Sequence, residues 1–187
     1  MKNIAVFASG NGSNFEAIAI ACADDKINAK ISILVCDKPE ANVITRATRL
    51  GIPVFVCNPK NFLDRSAHEY NMLTALENAG VEFIVLAGYM RIIGDVLLKA
   101  YDGKIINIHP SLLPIFPGLN AIQKAFEAKE KQTGVTIHYV DAGVDTGPIV
   151  TQEAVAILPE DTLETLEARV HEVEHKLYIE VLKSLFA

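Results

Sequence analysis

The chain has no tryptophan, and its only cysteines are Cys22, Cys36 and Cys57. An odd number of thiols at wide spacings fits neither a disulfide framework nor a zinc-ligand set, so they read as reduced structural thiols of a cytoplasmic protein. No apolar run approaches the roughly 18 residues of a membrane span, and a first strand starting at residue 3 leaves no room for a signal peptide. A membrane partner is therefore not expected. There is also no long basic run, and the net charge is −6, which argues against a nucleic-acid partner. Half of the 187 residues are hydrophobic, enough to bury a full core, and residues 1–187 read as one domain.

Short apolar runs alternate with amphipathic segments. Strands are expected at 3–8, 31–36, 53–56, 83–86 and 105–109, and helices at 14–23, 41–50, 66–79 and 95–100. This is the βαβ rhythm of a doubly wound, mostly parallel α/β sheet covered on both faces. The rhythm then changes. A helix at 121–128 precedes strands at 135–140 and 149–156, which form a late antiparallel, hairpin-like addition for seven strands in all. Asp161-Thr-Leu-Glu164 has the pattern of a capping box opening a long C-terminal helix to about Phe186.

Three segments carry chemistry. Gly10-Asn11-Gly12-Ser13-Asn14 lies between a strand and a helix N-terminus, where backbone N–H groups and the helix dipole favour an anion. It lacks the third glycine of a dinucleotide fingerprint and the Gly-Lys-Ser/Thr ending of a Walker A loop. Asn107 and His109 lie two apart at a strand end, so both side chains leave one face. Pro110 and Pro114 stop the strand and stiffen the loop behind it. Asp141-Ala-Gly143-Val-Asp145-Thr-Gly147-Pro148 is a glycine-punctuated loop whose Asp145 could pair with the imidazole and keep it charged. An amide donor, a general acid and an orienting carboxylate are the parts needed to move an acyl-type group onto an amine. In an open α/β sheet ligands bind beyond the carboxyl ends of the strands, which is where the Ser9–Asn14 loop, the Gly88–Arg91 turn and the Asn107–Pro114 segment all lie.

The Asn-x-His-Pro-Ser-Leu-Leu-Pro and Asp-x-Gly-x-Asp-x-Gly-Pro runs resemble those of the folate-dependent formyltransferases, and the likeness extends over nearly the whole chain. The Ser9–Asn14 loop narrows it to the glycinamide ribonucleotide branch. The resemblance implies a Rossmann-like formyltransferase fold and a transfer from the co-substrate 10-formyltetrahydrofolate to 5-phosphoribosylglycinamide in purine biosynthesis, with no metal and in a monomer or homodimer. It implies catalytic roles for Asn107, His109 and Asp145, and phosphate binding by Gly12, Ser13 and Asn14. Glu174 would contact the glycinamide. Arg65, Met90, Arg91, Ile92, Ile93, Asn107, Asp141 and Asp145 would bind the folate, with Arg65 at its glutamate tail. Against some relatives the chain departs at Asn120, where a histidine can stand, and at Ile115-Phe116 between prolines.

Two alternatives share parts of this pattern. Another formyltransferase or formyl hydrolase would use the same folate, but such relatives usually carry an additional domain for which this length has no room. A non-catalytic nucleotide-binding module would share the fold and leave the Asn107/His109/Asp145 set unexplained. His171-Glu172-Val173-Glu174-His175 matches the His-Glu-x-x-His zinc-protease pattern, yet no third ligand is evident, so both histidines read as ordinary polar residues of a helix. His138 and Thr136 read as strand-end polarity.

Overall fold

The computed structural model describes residues 1–187. Five parallel strands come first: β1 (Lys2–Ala8), β2 (Ala29–Cys36), β3 (Val54–Val56), β4 (Phe83–Leu86) and β5 (Ile105–His109). Helices α1 (Ser13–Ala23), α2 (Asn42–Arg49), α3 (Arg65–Asn78) and α4 (Asp95–Ala100) connect them, with one 3₁₀ turn at Pro59–Asn61 before α3. Helix α5 (Ala121–Glu127) leads to β6 (Gln132–Tyr139), β7 (Ile149–Ala156) and the 23-residue α6 (Leu163–Leu185). All seven strands form one sheet in the order β3-β2-β1-β4-β5-β6-β7. Strand β6 is antiparallel to both β5 and β7, the late addition expected from the sequence. No helix is long and apolar enough to cross a membrane.

Residue parity along the strands divides the core between the two faces. Ile4, Val6, Ala8, Ile106 and Ile108 pack in the larger cluster with residues of α1 and α6. Ala5, Phe7, Ile84, Leu86 and Ile105 face the other way, with residues of α3 and α4. Asn107 and His109 continue the phase of Ile105, so on this face the strand turns from apolar core to polar site within two residues. The buried Tyr178 hydroxyl of α6 donates to Leu86 O at 2.8 Å, tying that helix to the carboxyl end of β4.

Most element ends lie within two residues of the sequence reading, and two differences are informative. Strand β6 starts three residues earlier, at Gln132, because Gln132, Thr133 and Gly134 extend the ladder with β7. The capping box of α6 is shifted by one residue: Thr162 is the N-cap and Thr165 its N3 partner. Asp161 instead accepts from the Leu158 amide, the Thr165 hydroxyl and both terminal nitrogens of Arg169. A carboxylate that can collect an arginine fork gains more there than by capping one amide.

Candidate active site

The strand order reverses between β1 and β4, and the loops beyond those strands diverge to leave a crevice. A cavity of about 620 Å³ fills it, lined by 10–14 after β1, 86–93 around the end of β4, 107–110 at the end of β5, the 118–121 and 138–146 segments, and His171 and Glu174 of α6. Every site residue expected from the sequence except Arg65 lines this one cavity.

At one end, Gly12 caps α1 with φ 81° and no side-chain acceptor on the first turn, so the helix's leading amides are uncapped. The turn cannot accept a side chain at this glycine, since a Cβ there would lie 2.5 Å from Val43 Cγ2 of α2. Asn14 Nδ2 donates to Glu174 Oε2 at 3.3 Å, and the buried Asn14 Oδ1 has no partner. His171 Nδ1 lies 2.7 Å from the same Glu174 oxygen; this hydrogen bond raises the His171 pKa above its ordinary value despite partial burial. His175 Nε2 instead lies 3.1 Å from Ser13 Oγ. The two histidines of the zinc-protease-like pattern therefore take different partners, and no set of metal-ligating side chains forms around them.

In the centre, His109 Nε2 donates to Phe116 O at 2.8 Å, while Nδ1 faces Asp145 Oδ2 at 3.4 Å. A neutral ring has one proton and satisfies one of these acceptors; the imidazolium satisfies both. Burial favours the neutral form of Asp145, but the His138 imidazole, the Gly118 amide and His109 more than offset it, holding the carboxyl below its ordinary value. Gly118 N donates to Asp145 Oδ2 at 2.8 Å, so one carboxylate joins the 116–120 loop to the 141–147 loop. Asp141 shapes that second loop by accepting from the Thr146 hydroxyl and Gly143 N, which lower its pKa.

His138 is a site residue that strand-end polarity missed. It is 2% exposed, pairs in register with Asn107 and lies 3.6 Å from Asp145 Oδ1. Its Nδ1–H donates to Tyr139 O at 2.9 Å, so Nε2 accepts from Asn107 Nδ2 at 3.2 Å when the ring is neutral and turns donor toward Asp145 Oδ1 when it is protonated. The signal was the β5–β6 pairing, which a single strand's pattern does not reveal. Thr136 is structural: it donates to Ser111 O and accepts from Leu113 N and Gln152 Nε2.

At the other end, Met90 and Ile92 expose apolar surface while Ile93 is buried beneath them. Ser9 Oγ accepts from Met90 N at 2.9 Å, and buried Glu69 accepts from Gly94 N, so the 90–94 segment is pinned at both ends. Arg91 does not reach into the cavity as a free cation: its Nε donates to buried Asp37 Oδ2 at 2.9 Å. Arg65 lies in an adjoining cleft of about 470 Å³ that shares Met90, Arg91 and Ile92 with the main cavity.

Residues 2–182 match the family described as formyl transferase. The chain belongs to that family. It is 55% identical over 185 residues to a phosphoribosylglycinamide formyltransferase of Bacillus subtilis, covering 99% of this chain and 95% of the relative. Among solved structures, glycinamide ribonucleotide transformylase 1 from Geobacillus kaustophilus is 51% identical, with a TM-score of 0.97 and full coverage of both chains. The phosphoribosylglycinamide formyltransferase of Bacillus halodurans is 49% identical, with a TM-score of 0.97, covering 100% of this chain and 96% of that one. A formyl transferase needs a donor and an acceptor held on either side of its reacting groups, and this cavity has two chemically distinct ends with a polar cluster between.

Proposed function

We propose that this chain transfers the formyl group of 10-formyltetrahydrofolate to the amine of 5-phosphoribosylglycinamide, a step of purine biosynthesis. The observation that carries the reading is the continuity of the cavity, from uncapped helix amides at Gly12, Ser13 and Asn14, past Asn107, His109 and Asp145, to the apolar wall of Met90 and Ile92. The acceptor's phosphate sits on the helix N-terminus, and Glu174 meets the glycinamide. The pteridine takes the slot along 90–93, where backbone groups read its edge, and Asp141 shapes the facing loop. Arg65, at the cleft beyond, pairs with the glutamate tail, while Arg91, tied to Asp37, orders the slot. Residues 1–187 act as one catalytic domain in a cytoplasmic setting, where the free thiols stay reduced.

Chemically, the neutral amine attacks the formyl carbon to give a tetrahedral adduct. The new oxyanion is met by the Asn107 amide and the His109 imidazolium, donors aimed at charge that appears only during transfer. Asp145 holds His109 charged and orders a water through which the proton lost by the amine reaches N10 of the folate. The carbon–N10 bond then breaks, giving the formylated glycinamide and tetrahydrofolate. No serine or cysteine with an adjacent base lies among the reacting groups, so the transfer is direct.

The test is a formyl-transfer assay with isotopically labelled 10-formyltetrahydrofolate. Label is expected in the ribonucleotide only when the acceptor is present. Release of labelled formate at the same rate without acceptor would make the chain a hydrolase instead.

A further inference from the structure

The second histidine of the α6 pattern lies outside the cavity lining, yet it touches the phosphate cradle through Ser13. We infer that His175 is a positioning residue for the acceptor: its Nε2–H donates to Ser13 Oγ and so turns the hydroxyl proton toward the bound phosphate. This role deepens the proposed function and rests on its assignment of the phosphate to the α1 N-terminus.

Proton count decides the direction of the hydrogen bond. A serine hydroxyl has one proton, and its neighbour at 3.1 Å is a ring nitrogen that is either donor or acceptor. If Nε2 is unprotonated, Ser13 donates to it and presents lone pairs to the cradle, which repels an anion. If Nε2 bears the proton, Ser13 accepts from the ring and is free to donate into the cradle. A phosphate there therefore selects the Nε2–H tautomer. Burial is the largest influence on His175 and lowers its pKa; Glu174 and Glu172 oppose this, and His171 and Arg46 add to it. The ring is thus held mainly neutral at pH 7, where the choice of tautomer matters. His171, one turn earlier, bonds Glu174 through Nδ1 and makes no hydrogen bond to Ser13.

Steady-state kinetics of His175→Leu, His175→Gln and His175→Asn, together with ¹⁵N NMR of the labelled wild-type imidazole during acceptor titration, test the inference. Loss of a hydrogen bond serving a charged group should raise the acceptor KM about tenfold in His175→Leu, with kcat and the formylfolate KM within about twofold of wild type. His175→Gln should restore the acceptor KM, because its amide nitrogen reaches the place of Nε2, whereas His175→Asn should not. The NMR spectrum should move to the Nε2–H tautomer on saturation. A wild-type acceptor KM in His175→Leu, equal defects in the Gln and Asn variants, or an Nδ1–H tautomer in the complex would each overturn the inference. If inorganic phosphate fails to compete with the acceptor in the wild type, the phosphate assignment itself fails, and the role of His175 with it.

Discussion

Asn107 of β5 stands directly opposite His138 of β6 in antiparallel register, with its amide nitrogen 3.2 Å from the imidazole Nε2. The pairing explains how a flexible amide is held at the end of a strand without help from substrate. Because His138 Nδ1–H is committed to Tyr139 O, the neutral ring accepts one N–H of the amide and leaves the other free for the cavity.

An amide held in this way should matter for rate. Removing one preorganised oxyanion donor typically costs about 10²–10³ in turnover. Asn107→Ala should lose at least that much while its affinity for the folate changes little, as measured by kcat alongside equilibrium fluorescence titration. Wild-type turnover with lost folate affinity would recast Asn107 as a binding residue.

Gly12 is tested through space. A Cβ at this position would meet Val43, and its left-handed backbone disfavours other residues. Gly12→Val should displace the first turn of α1 and weaken acceptor binding, leaving folate binding, at the opposite end of the cavity, largely intact. Calorimetry with each ligand separates the two; lost folate affinity with intact acceptor affinity would reverse the assignment of the half-sites.

A stability prediction concerns the start of α6. Hydrogen bonds from Arg169 and Leu158 hold the Asp161 carboxyl well below its ordinary value. A depressed folded-state pKa contributes stability that is complete above the unfolded value, about 4, and lost as pH falls toward the folded one. Asp161→Asn should therefore lower Tm at pH 7, and the gap to wild type should close progressively in acid below about pH 4. A gap independent of pH across that range would locate the effect in packing rather than charge.

The sheet was legible because each βαβ unit announces itself locally: an apolar run, a glycine or proline break, then an amphipathic segment. The antiparallel end was legible for the same reason. The Asn107, His109 and Asp145 set could be read as chemistry because strand parity gives Asn107 and His109 one face and the glycine-rich loop frees Asp145. What the chain order did not reveal was cross-strand and cross-loop pairing. His138 joined the site only through its register with Asn107, and Arg91 was drawn to Asp37 from a different strand end. The shift of the α6 cap from Asp161 to Thr162 has a similar origin, since Arg169, two turns into the helix, draws the carboxylate away.

The relationship between Asp145 and His109 is the centre of the proposed mechanism, and kinetics of Asp145→Asn test it most directly. The substitution keeps the shape of the side chain and an acceptor for the Gly118 amide, but removes the charge facing His109 Nδ1 at 3.4 Å. General-acid assistance is typically worth about 10²–10⁴ in rate, so turnover at neutral pH should fall on that scale while both substrates still bind. Turnover within about twofold of wild type, against that expected loss, would reduce Asp145 to a loop residue and contradict the mechanism.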